Sequence, residues 1–513
     1  MKILNIKNLI LVLVEALIVF TASFLLIRFV NRDVEVLGLH MDDLNNYMTY
    51  LEFPSLKSWI VDYDPLRMHY RPVFYILLFG IFKIISSDIS RVVIINFVIN
   101  ASIAMTIYFL MRSLKIHRVI SMIAVVMYAF SNFSYYQIYQ MIGLIEALPL
   151  VMSLTILVTC VRSSEMTKEK FLFYTKINLI IYFLMVFVHE RYFPMLLLII
   201  FSIAFNKSIA KEAKKKYFII CFLELLFFFV VRYYHLRIIV PRGTDCTSLI
   251  DNFDLKRSIK FFYHQIMYLL GVNLGPRYLC GLNFESVETF EDKALIIFSA
   301  ISIVVFFILY FIRRLVSRNT YKLSFKHLDF YFLLYIFLCI LQSSLTIRVE
   351  MRWLYASFMG LLIYMGLILK EFLINKTGIV KIFKYVLCIV FIAFIASRFM
   401  VNKLYKSNDI YIFIVNEQRA MNSLVRNTVE KYGIEELRKK TIYITSNHYN
   451  IISNYERYHF FDPFDKQITD KEMIIFTDGI TDEIIKNKDN NIIVLDEGGI
   501  MEYVESEKLK SIK

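Results

Sequence analysis

The strongest constraint on this chain is a series of long apolar runs that carry few charges. Many reach roughly 18 to 23 residues, the length that a helix needs to cross the hydrocarbon core of a bilayer. Apolar residues make up 58% of the 513 residues, and the mean hydropathy is +0.56. A soluble domain cannot bury so much apolar surface. The sequence therefore predicts an α-helical polytopic membrane protein.

The runs predict about 11 transmembrane helices. The first, residues 8–30, has an apolar core too long for a signal peptide, and we interpret it as a retained helix. The other spans are expected at 92–111, 119–136, 147–161, 171–188, 193–205, 217–239, 294–312, 328–346, 353–369 and 382–398.

Lysine and arginine are concentrated in every second connection between these runs. The basic connections begin at Arg112, Arg162, Lys207, Arg313 and Lys370. Because such residues favour cytoplasmic loops, we expect a multi-pass protein of the plasma membrane with a cytoplasmic N-terminus. This alternation requires that the apolar segment 71–87 does not cross the membrane, so we predict a re-entrant or interfacial helix there.

The net charge of +14 has the same origin. The excess lies in short cytoplasmic loops, where it orients helices and meets anionic lipid headgroups. No nucleic-acid binding motif accompanies it. The expected partner is therefore the lipid bilayer, and nucleic acid is not expected.

Two regions are predicted from the change in composition near residue 400. Residues 1–400 form the transmembrane domain, with long outer loops at 31–91 and 241–293. Residues 401–513 predict a small α/β domain, which an odd number of spans places outside the cell. Its expected elements are a helix at 416–431 and strands at 441–445, 473–477 and 492–495.

Two cysteines, Cys246 and Cys280, share the predicted outer loop 241–293. A disulfide between them and two free thiols are the two alternatives.

Three short motifs occur in a characteristic order. An acidic pair, Asp42 and Asp43, follows the first span in the stretch His-Met-Asp-Asp-Leu; His-Tyr-Arg-Pro-Val-Phe-Tyr follows at 69–75; and Glu-Met-Arg-Trp-Leu opens a late span at 350–354. This order resembles the GT-C glycosyltransferases, in particular the protein O-mannosyltransferases and the aminoarabinose transferases of lipid A. The resemblance covers residues 1–400. Val73 departs from the family's double proline, and Trp353 replaces a tyrosine.

The resemblance implies transfer of a sugar from a polyprenyl-phosphate carrier to an extracytoplasmic acceptor, which is a cell-envelope glycan, lipid or protein. The reaction would be a single displacement with inversion. It needs a base for the acceptor hydroxyl and cations for the leaving phosphate. The family's first acid corresponds to Asp42, the expected base, with Asp43 as its helper. The alternative is an acidic turn without a catalytic role.

Arginine suits the leaving phosphate because its planar fork donates two parallel hydrogen bonds and stays charged. Arg352 is the expected principal ligand, and Arg348 is the reserve. Arg71, in the second motif, and Arg191 are further candidates. The alternative for Arg352 is anchoring of the span at the interface, where Trp and Tyr are also favoured.

Three more ionisable residues are candidates for acceptor binding. Glu146 begins a span, and His189 and Glu190 occupy a very short outer connection with Arg191. Such groups are costly at a membrane surface unless they line a polar cavity. The alternatives are a favourable helix dipole for Glu146, and anchoring at the interface or mutual neutralisation for the residues around Glu190 and Arg191. The sequence leaves open whether Asp42 and Glu146 hold a divalent metal; no other cofactor is implied.

Tyr135, Tyr136 and Tyr139 precede Glu146 and are candidates for stacking on a sugar. Two functions of other classes compete with glycosyl transfer: a transporter or flippase for lipid-linked glycans, and a non-catalytic assembly protein. A transporter is expected to show internal repeats and interrupted helices, and the sequence shows no convincing repeat.

Overall fold

The computed structural model describes residues 6–30, 42–62, 69–86, 90–238, 253–275, 282–316, 324–346, 349–374, 379–406, 433, 442–445, 474–477 and 493–496. Within these residues the chain forms sixteen α-helices and three β-strands. The helices are α1 (Ile6–Val30), α2 (Asp42–Glu52), α3 (Leu56–Val61), α4 (Pro72–Ile85), α5 (Ser90–Ser113), α6 (Arg118–Phe130), α7 (Tyr135–Tyr139), α8 (Leu144–Arg162), α9 (Lys168–Val188), α10 (Leu196–Phe205), α11 (Lys211–Leu236), α12 (Leu255–Leu270), α13 (Phe290–Val316), α14 (Ser324–Ser344), α15 (Tyr355–Ile374) and α16 (Ile379–Lys406).

Eight helical segments in the described part of the chain are long and apolar enough to cross a bilayer, or nine if one bent pair counts as a single span. Their outer faces carry large apolar side chains that water would not solvate well; Leu17 of α1 and Ile389 of α16 are 66% and 64% exposed. The chain is thus an α-helical polytopic membrane protein, as the sequence predicts.

One of the expected spans contains only a short α-helix. The span expected at 193–205 begins as a 3₁₀-helix, Glu190–Met195, and continues as the ten residues of α10, which rise only about 15 Å. Pro194 explains the change, because it has no N–H and its ring obstructs an α-helix. The span expected at 328–346 corresponds to α14, a helix of 21 residues whose apolar part includes Leu328–Ser344.

A third expected span, 119–136, is bent. α6 ends at Phe130, and the chain turns by 58° before it continues through Asn132–Ile138. The hydroxyl of Ser131 accepts a hydrogen bond from the backbone N–H of Phe133 (3.2 Å) and so caps the second segment. Almost every described side chain from 131 to 143 is buried. We call residues 131–143 the buried connection.

Two asparagines of α5 bind the backbone of the buried connection. The side-chain amide of Asn100 donates to the carbonyl of Gln137 (2.9 Å), and that of Asn96 donates to the carbonyl of Ile138 (2.6 Å). Irregular backbone is tolerated inside a membrane protein only where such groups find partners. These two amides therefore make the interruption compatible with a membrane-embedded bundle.

The segment expected to remain at the interface forms α4, a helix of 14 residues. Pro72 stands at its first position, where its missing N–H costs no helical hydrogen bond. At about 1.5 Å per residue α4 is shorter than the hydrocarbon core of about 30 Å. Its length is compatible with the predicted interfacial or re-entrant placement, and the orientation of the bundle stays a prediction.

Among the eight candidate spans in the described part of the chain, α15 is the most deeply buried, with 94% of its most apolar stretch inside the protein. It is apolar on all sides, as a central helix must be. Gly360 lets α14 approach closely, because a Cβ at this position would lie 2.7 Å from the ring of Tyr335. Tyr335 is fully buried, and its hydroxyl bonds to that of Ser153 in α8 (3.0 Å).

Polar contacts of Glu15 and Lys370 lie at the end of the bundle that is predicted to be cytoplasmic. Glu15 of α1 accepts hydrogen bonds from Tyr108 (2.6 Å) and from Arg118 (3.1 Å). Lys370, at the end of α15, donates to the carbonyl of Leu114 (2.9 Å). The basic connections that begin at Arg112 and Lys370 therefore lie at the same end of the bundle.

Three parallel strands lie beyond residue 440: β1 (Ile442–Thr445), β2 (Ile474–Thr477) and β3 (Ile493–Asp496). β1 is central, with the order β2-β1-β3, and Ile442 pairs with Ile474 and Ile493. Each strand lies within one residue of an expected strand. The helix expected at 416–431 lies outside the described residues, so an α/β domain stays a prediction.

A Gly360→Ala substitution tests the packing of α14 on α15. We expect the free energy of unfolding to fall by about 1–3 kcal/mol, because the added methyl group overlaps the ring of Tyr335, which cannot move without breaking its bond to Ser153. Thermal or denaturant unfolding in detergent micelles measures the change.

The matched control is Gly80→Ala in α4, where nothing lies within 4 Å of the new methyl group. We expect this variant to be as stable as the parent or slightly more stable, since alanine favours a helix. Equal effects of the two substitutions would contradict the close contact at Gly360.

Candidate functional site

Ionisable side chains from four distant parts of the chain meet at one end of the bundle. They come from the stretch before α4, the first turn of α8, the connection from α9 to α10, and the start of α15. Three carboxylates are buried there: Glu146, Glu190 and Glu350 are 3%, 2% and 6% exposed. Each faces an arginine. We call this group the charge cluster; its members are His69, Arg71, Glu146, His189, Glu190, Arg191, Glu350 and Arg352.

Glu190 joins the segment before α4 to the connection after α9. Arg71 donates from Nε to Oε2 (2.7 Å) and from Nη2 to Oε1 (3.0 Å), a two-point contact that fixes both side chains. Nδ1 of His69 lies 3.2 Å from Oε1 of Glu190. Burial opposes the ionisation of Glu190, but Arg71 and His69 outweigh it and hold its pKa well below the ordinary value. Glu190 is therefore a carboxylate at neutral pH.

His69 is held by the same carboxylate. The Arg71 guanidinium and burial lower the pKa of His69 below its ordinary value, although Glu190 acts in the opposite direction. A neutral imidazole whose Nδ1–H points at Glu190 keeps Nε2 as a hydrogen-bond acceptor. With 22% of its side chain exposed, His69 is more accessible than Glu190 at 3%.

Glu146 forms the second part of the cluster, at the first turn of α8. Its Oε2 accepts a hydrogen bond from Nη2 of Arg191, and its Oε1 lies 3.6 Å from Nε2 of His189. Nδ1 of His189 accepts the backbone N–H of Arg191 (3.3 Å), which places the proton of the neutral ring on Nε2, towards Glu146. Burial and the charges of Arg71 and Arg191 lower the pKa of His189 to about 4.

The mutual neutralisation considered for Glu190 and Arg191 does not occur. Glu190 pairs with Arg71, 119 residues away, and Arg191 pairs with Glu146. The two neighbours therefore tie the connection after α9 to two different helices.

Arg352 forms the third part, in the 3₁₀-helix Met351–Leu354. Its Nε lies 2.5 Å from Oε2 of Glu350, and its guanidinium carbon lies 4.0 Å from the centre of the Tyr136 ring. The Arg191 guanidinium lies 5.0 Å from the Trp353 ring. Aromatic side chains thus pack against two arginines of the cluster.

Asp43 is buried beside the cluster. Its carboxylate accepts the backbone N–H groups of Met141 (2.8 Å) and Ile142 (2.6 Å), at the N-terminal end of the segment that leads into α8. A carboxylate at this position also faces the positive end of the helix dipole. Asp43 therefore positions the start of α8, one turn before Glu146.

The structure brings together six of the predicted site residues: Arg71, Glu146, His189, Glu190, Arg191 and Arg352. Asp42 begins α2, but its side chain lies outside the described residues, as does that of Tyr139. Arg348, Cys246 and Cys280 also lie outside them. Tyr135 and Tyr136 are buried, and Tyr136 contacts Arg352 rather than open space.

The sequence interpretation did not assign a role to two members of the cluster, His69 and Glu350. Both lie inside motifs that it identified, two residues before Arg71 and Arg352 respectively. Their closeness in sequence to Arg71 and Arg352 was the feature from which a role in the site could have been predicted. Among the described residues, no group of three or more His, Cys, Asp or Glu side chains is arranged to hold a metal ion.

No protein-family model matches the sequence, and a comparison with curated proteins finds no match. The resemblance to GT-C glycosyltransferases therefore rests on the three motifs and their order.

Lowering the pH is expected to destabilise the cluster. The pKa of His189 is about 4 in the folded protein and 6.5 ordinarily, so the unfolded chain binds more protons between these values. Stability is therefore greatest above about pH 6.5 and falls as the pH decreases towards 4. Unfolding of the full-length protein measured from pH 4.5 to 7.5 should show a shallower decrease for His189→Gln. The decrease does not vanish, because the pKa of His69 is also lowered.

The control is His117→Asn, which changes an exposed imidazole at the start of α6 and keeps a side chain able to cap the helix. We expect its pH profile to match that of the parent. An unchanged slope in His189→Gln would show that His189 is not buried in neutral form.

The Asp43→Asn variant tests the contact with the buried connection. We expect the free energy of unfolding to fall by about 1–3 kcal/mol, because the amide replaces one acceptor oxygen with a donor that faces a backbone N–H. Asp62→Asn, an exposed position after α3, is the control and should leave stability unchanged. Equal stability of both variants in thermal unfolding would exclude a positioning role for Asp43.

Proposed function

We propose that the protein transfers a sugar from a polyprenyl-phosphate-linked donor to an extracytoplasmic acceptor of the cell envelope. The charge cluster is the single observation that carries this proposal. It gathers arginines and carboxylates, at one end of a membrane-embedded bundle, from segments that the chain keeps far apart. Ionisable groups in such positions are costly and typically serve a substrate pathway or a reaction. The order of the three sequence motifs, which resembles that of GT-C glycosyltransferases, suggests glycosyl transfer as the class of reaction.

The reaction is a single displacement. The acceptor hydroxyl oxygen forms a bond to C1 of the sugar while the bond from C1 to the phosphate oxygen breaks. The electron pair leaves with the phosphate, so that polyprenyl phosphate is released, and a base takes the hydroxyl proton. The configuration at C1 is inverted. Cations that hold the departing phosphate lower the barrier because charge develops there.

Arg352 is the best candidate for the phosphate. Its side chain is 19% exposed, against 14% for Arg71 and 11% for Arg191, so it is the most accessible of the three guanidinium groups. Arg352 also faces a carboxylate, since its Nε lies 2.5 Å from Oε2 of Glu350. Arg71 and Arg191 are held by Glu190 and Glu146, with Arg71 in a two-point contact. We assign them the role of shaping the wall of the site.

The proton acceptor is assigned to Asp42, the acid that corresponds to the family's first motif. Its neighbour Asp43 is less suited to this role because both of its oxygens already accept backbone hydrogen bonds. His69 is the alternative acceptor, since Glu190 orients it and its ring is partly exposed.

One observation favours a transporter or flippase for lipid-linked glycans as the second candidate. The bend between α6 and the buried connection is an interrupted helix, a feature that transporters use to build a substrate site inside the membrane. A non-catalytic assembly protein is the third candidate, in which the three Arg–Glu pairs only hold helix ends together.

Variants of the purified protein in nanodiscs test the proposal. The assay follows transfer of labelled sugar from a panel of polyprenyl-phosphate-linked hexoses and pentoses to a cell-envelope fraction. Arg352→Gln is expected to lower kcat by about 10²–10³, the typical effect of removing one donor to a developing anion. Arg352→Lys is expected to retain part of the activity, because it keeps the charge but loses the planar fork.

Separate Asp42→Asn and His69→Gln variants distinguish the two proton acceptors; the one that abolishes transfer identifies the base. Arg237→Gln, an exposed arginine at the end of α11, is the control and should transfer at the parent rate. Parent-like rates in Arg352→Gln and Asp42→Asn would place the site elsewhere. A parent that transfers no sugar but moves the lipid-linked donor across liposome membranes would establish the transporter.

A further inference from the structure

Another arginine, Arg398, is buried inside the bundle and is not a member of the charge cluster. It lies in α16 and is 0% exposed. The rings of Phe133 and Phe358 flank its guanidinium, with both ring centres 5.2 Å from the guanidinium carbon. Two aromatic faces attract a cation and exclude water. They do not accept its hydrogen bonds as an oxygen would.

None of the three guanidinium nitrogens of Arg398 has a hydrogen-bond partner among the described residues. The same holds for both amide atoms of Asn402, which follows one turn later in α16 and is 1% exposed, and for the fully buried hydroxyl of Ser299 in α13. Buried polar groups in native proteins are nearly always paired, and a buried charge without an acceptor is strongly unfavourable. One cation and two neutral polar groups in this region therefore all lack hydrogen-bond partners among the described residues.

The end of α12 closes over this group. Gly271 ends that helix with φ of +119°, and a Cβ at this position would lie 2.7 Å from Nη1 of Arg398 and 3.9 Å from Oγ of Ser299. Because Gly271 has no side chain, the guanidinium can lie close to the backbone at the end of α12. The carbonyl of Gly271 already accepts the hydroxyl of Tyr405 (2.7 Å). The helix end contributes its negative dipole but no hydrogen bond to the guanidinium.

We propose that Arg398, Asn402 and Ser299 form a binding site for a phosphate group. The guanidinium fork matches two phosphate oxygens, while the amide and the hydroxyl can donate to the remaining ones. The phosphate reaches this site either as a free anion or as the headgroup of a lipid, and the same chemistry serves both. The site is separate from the proposed transferase function, because it contains no member of the charge cluster.

Thermal unfolding of the purified full-length protein in phosphate-free detergent tests the site. The two probes are inorganic phosphate and citronellyl phosphate, a short isoprenoid phosphate. We expect at least one to raise the unfolding midpoint of the parent and of Arg352→Gln, whose change lies in the charge cluster. A response to both probes indicates a free anion; a response to citronellyl phosphate alone indicates a lipid headgroup.

Added to Arg352→Gln, which removes the phosphate ligand of the charge cluster, Arg398→Met should abolish the response. Without a probe, Arg398→Met alone should be at least as stable as the parent, because it removes a buried charge that has no acceptor. Arg398→Lys should bind the probe about tenfold more weakly or worse, since it loses the fork but folds with the same charge. Asn402→Asp should raise the midpoint and abolish the response, because the new carboxylate pairs with Arg398 from one turn away.

The proposal is overturned if neither probe stabilises Arg352→Gln, if adding Arg398→Met or Asn402→Asp to Arg352→Gln leaves that response unchanged, or if Arg398→Met is less stable than the parent without a probe. The last result would show that Arg398 has a structural role that its rings and the helix end suffice to satisfy. None of these results depends on sugar transfer, so the transferase proposal can fail or succeed independently.

Discussion

The fold depends on the requirement that backbone groups away from water find partners inside the protein. The buried connection meets this requirement at an unusual place, because it begins near the end of a segment, residues 119–136, that hydropathy alone presents as one straight span. Asn96 and Asn100 bind two of its carbonyls, and Asp43 binds two of its N–H groups. These three side chains make an interrupted helix stable where a continuous one would otherwise be favoured.

The interruption also places the functional groups. It delivers Tyr136 to Arg352 and starts α8 so that Glu146 meets Arg191. Because Glu190 and Arg191 bind partners on different helices, the charge cluster joins α4, α8 and the α9–α10 connection into one rigid surface. Such a surface holds charged groups in place before a substrate arrives, which is what electrostatic catalysis requires.

Hydropathy predicted the long helices well, because a run such as 171–188 has no alternative to a membrane-spanning helix; α9 covers Lys168–Val188. It failed where one residue overrides the run, as Pro194 does before α10. Glu146, Glu190 and Arg352 stood out as charges beside apolar runs. The sequence did not indicate how these groups pair, because Arg71 and Glu190 are 119 residues apart and only the packing of helices brings them together. The role of Asn96 and Asn100 could not be predicted, because the sequence does not show which backbone groups an amide in an apolar run will bind.

The buried connection places two rings three residues apart under two different arginines. Phe133 lies against Arg398 of α16, and Tyr136 lies against Arg352 before α15. One short stretch of backbone therefore carries both rings. Any rotation or sliding of that stretch displaces both rings at once, so the surroundings of the two guanidinium groups are mechanically coupled although no contact between them is needed.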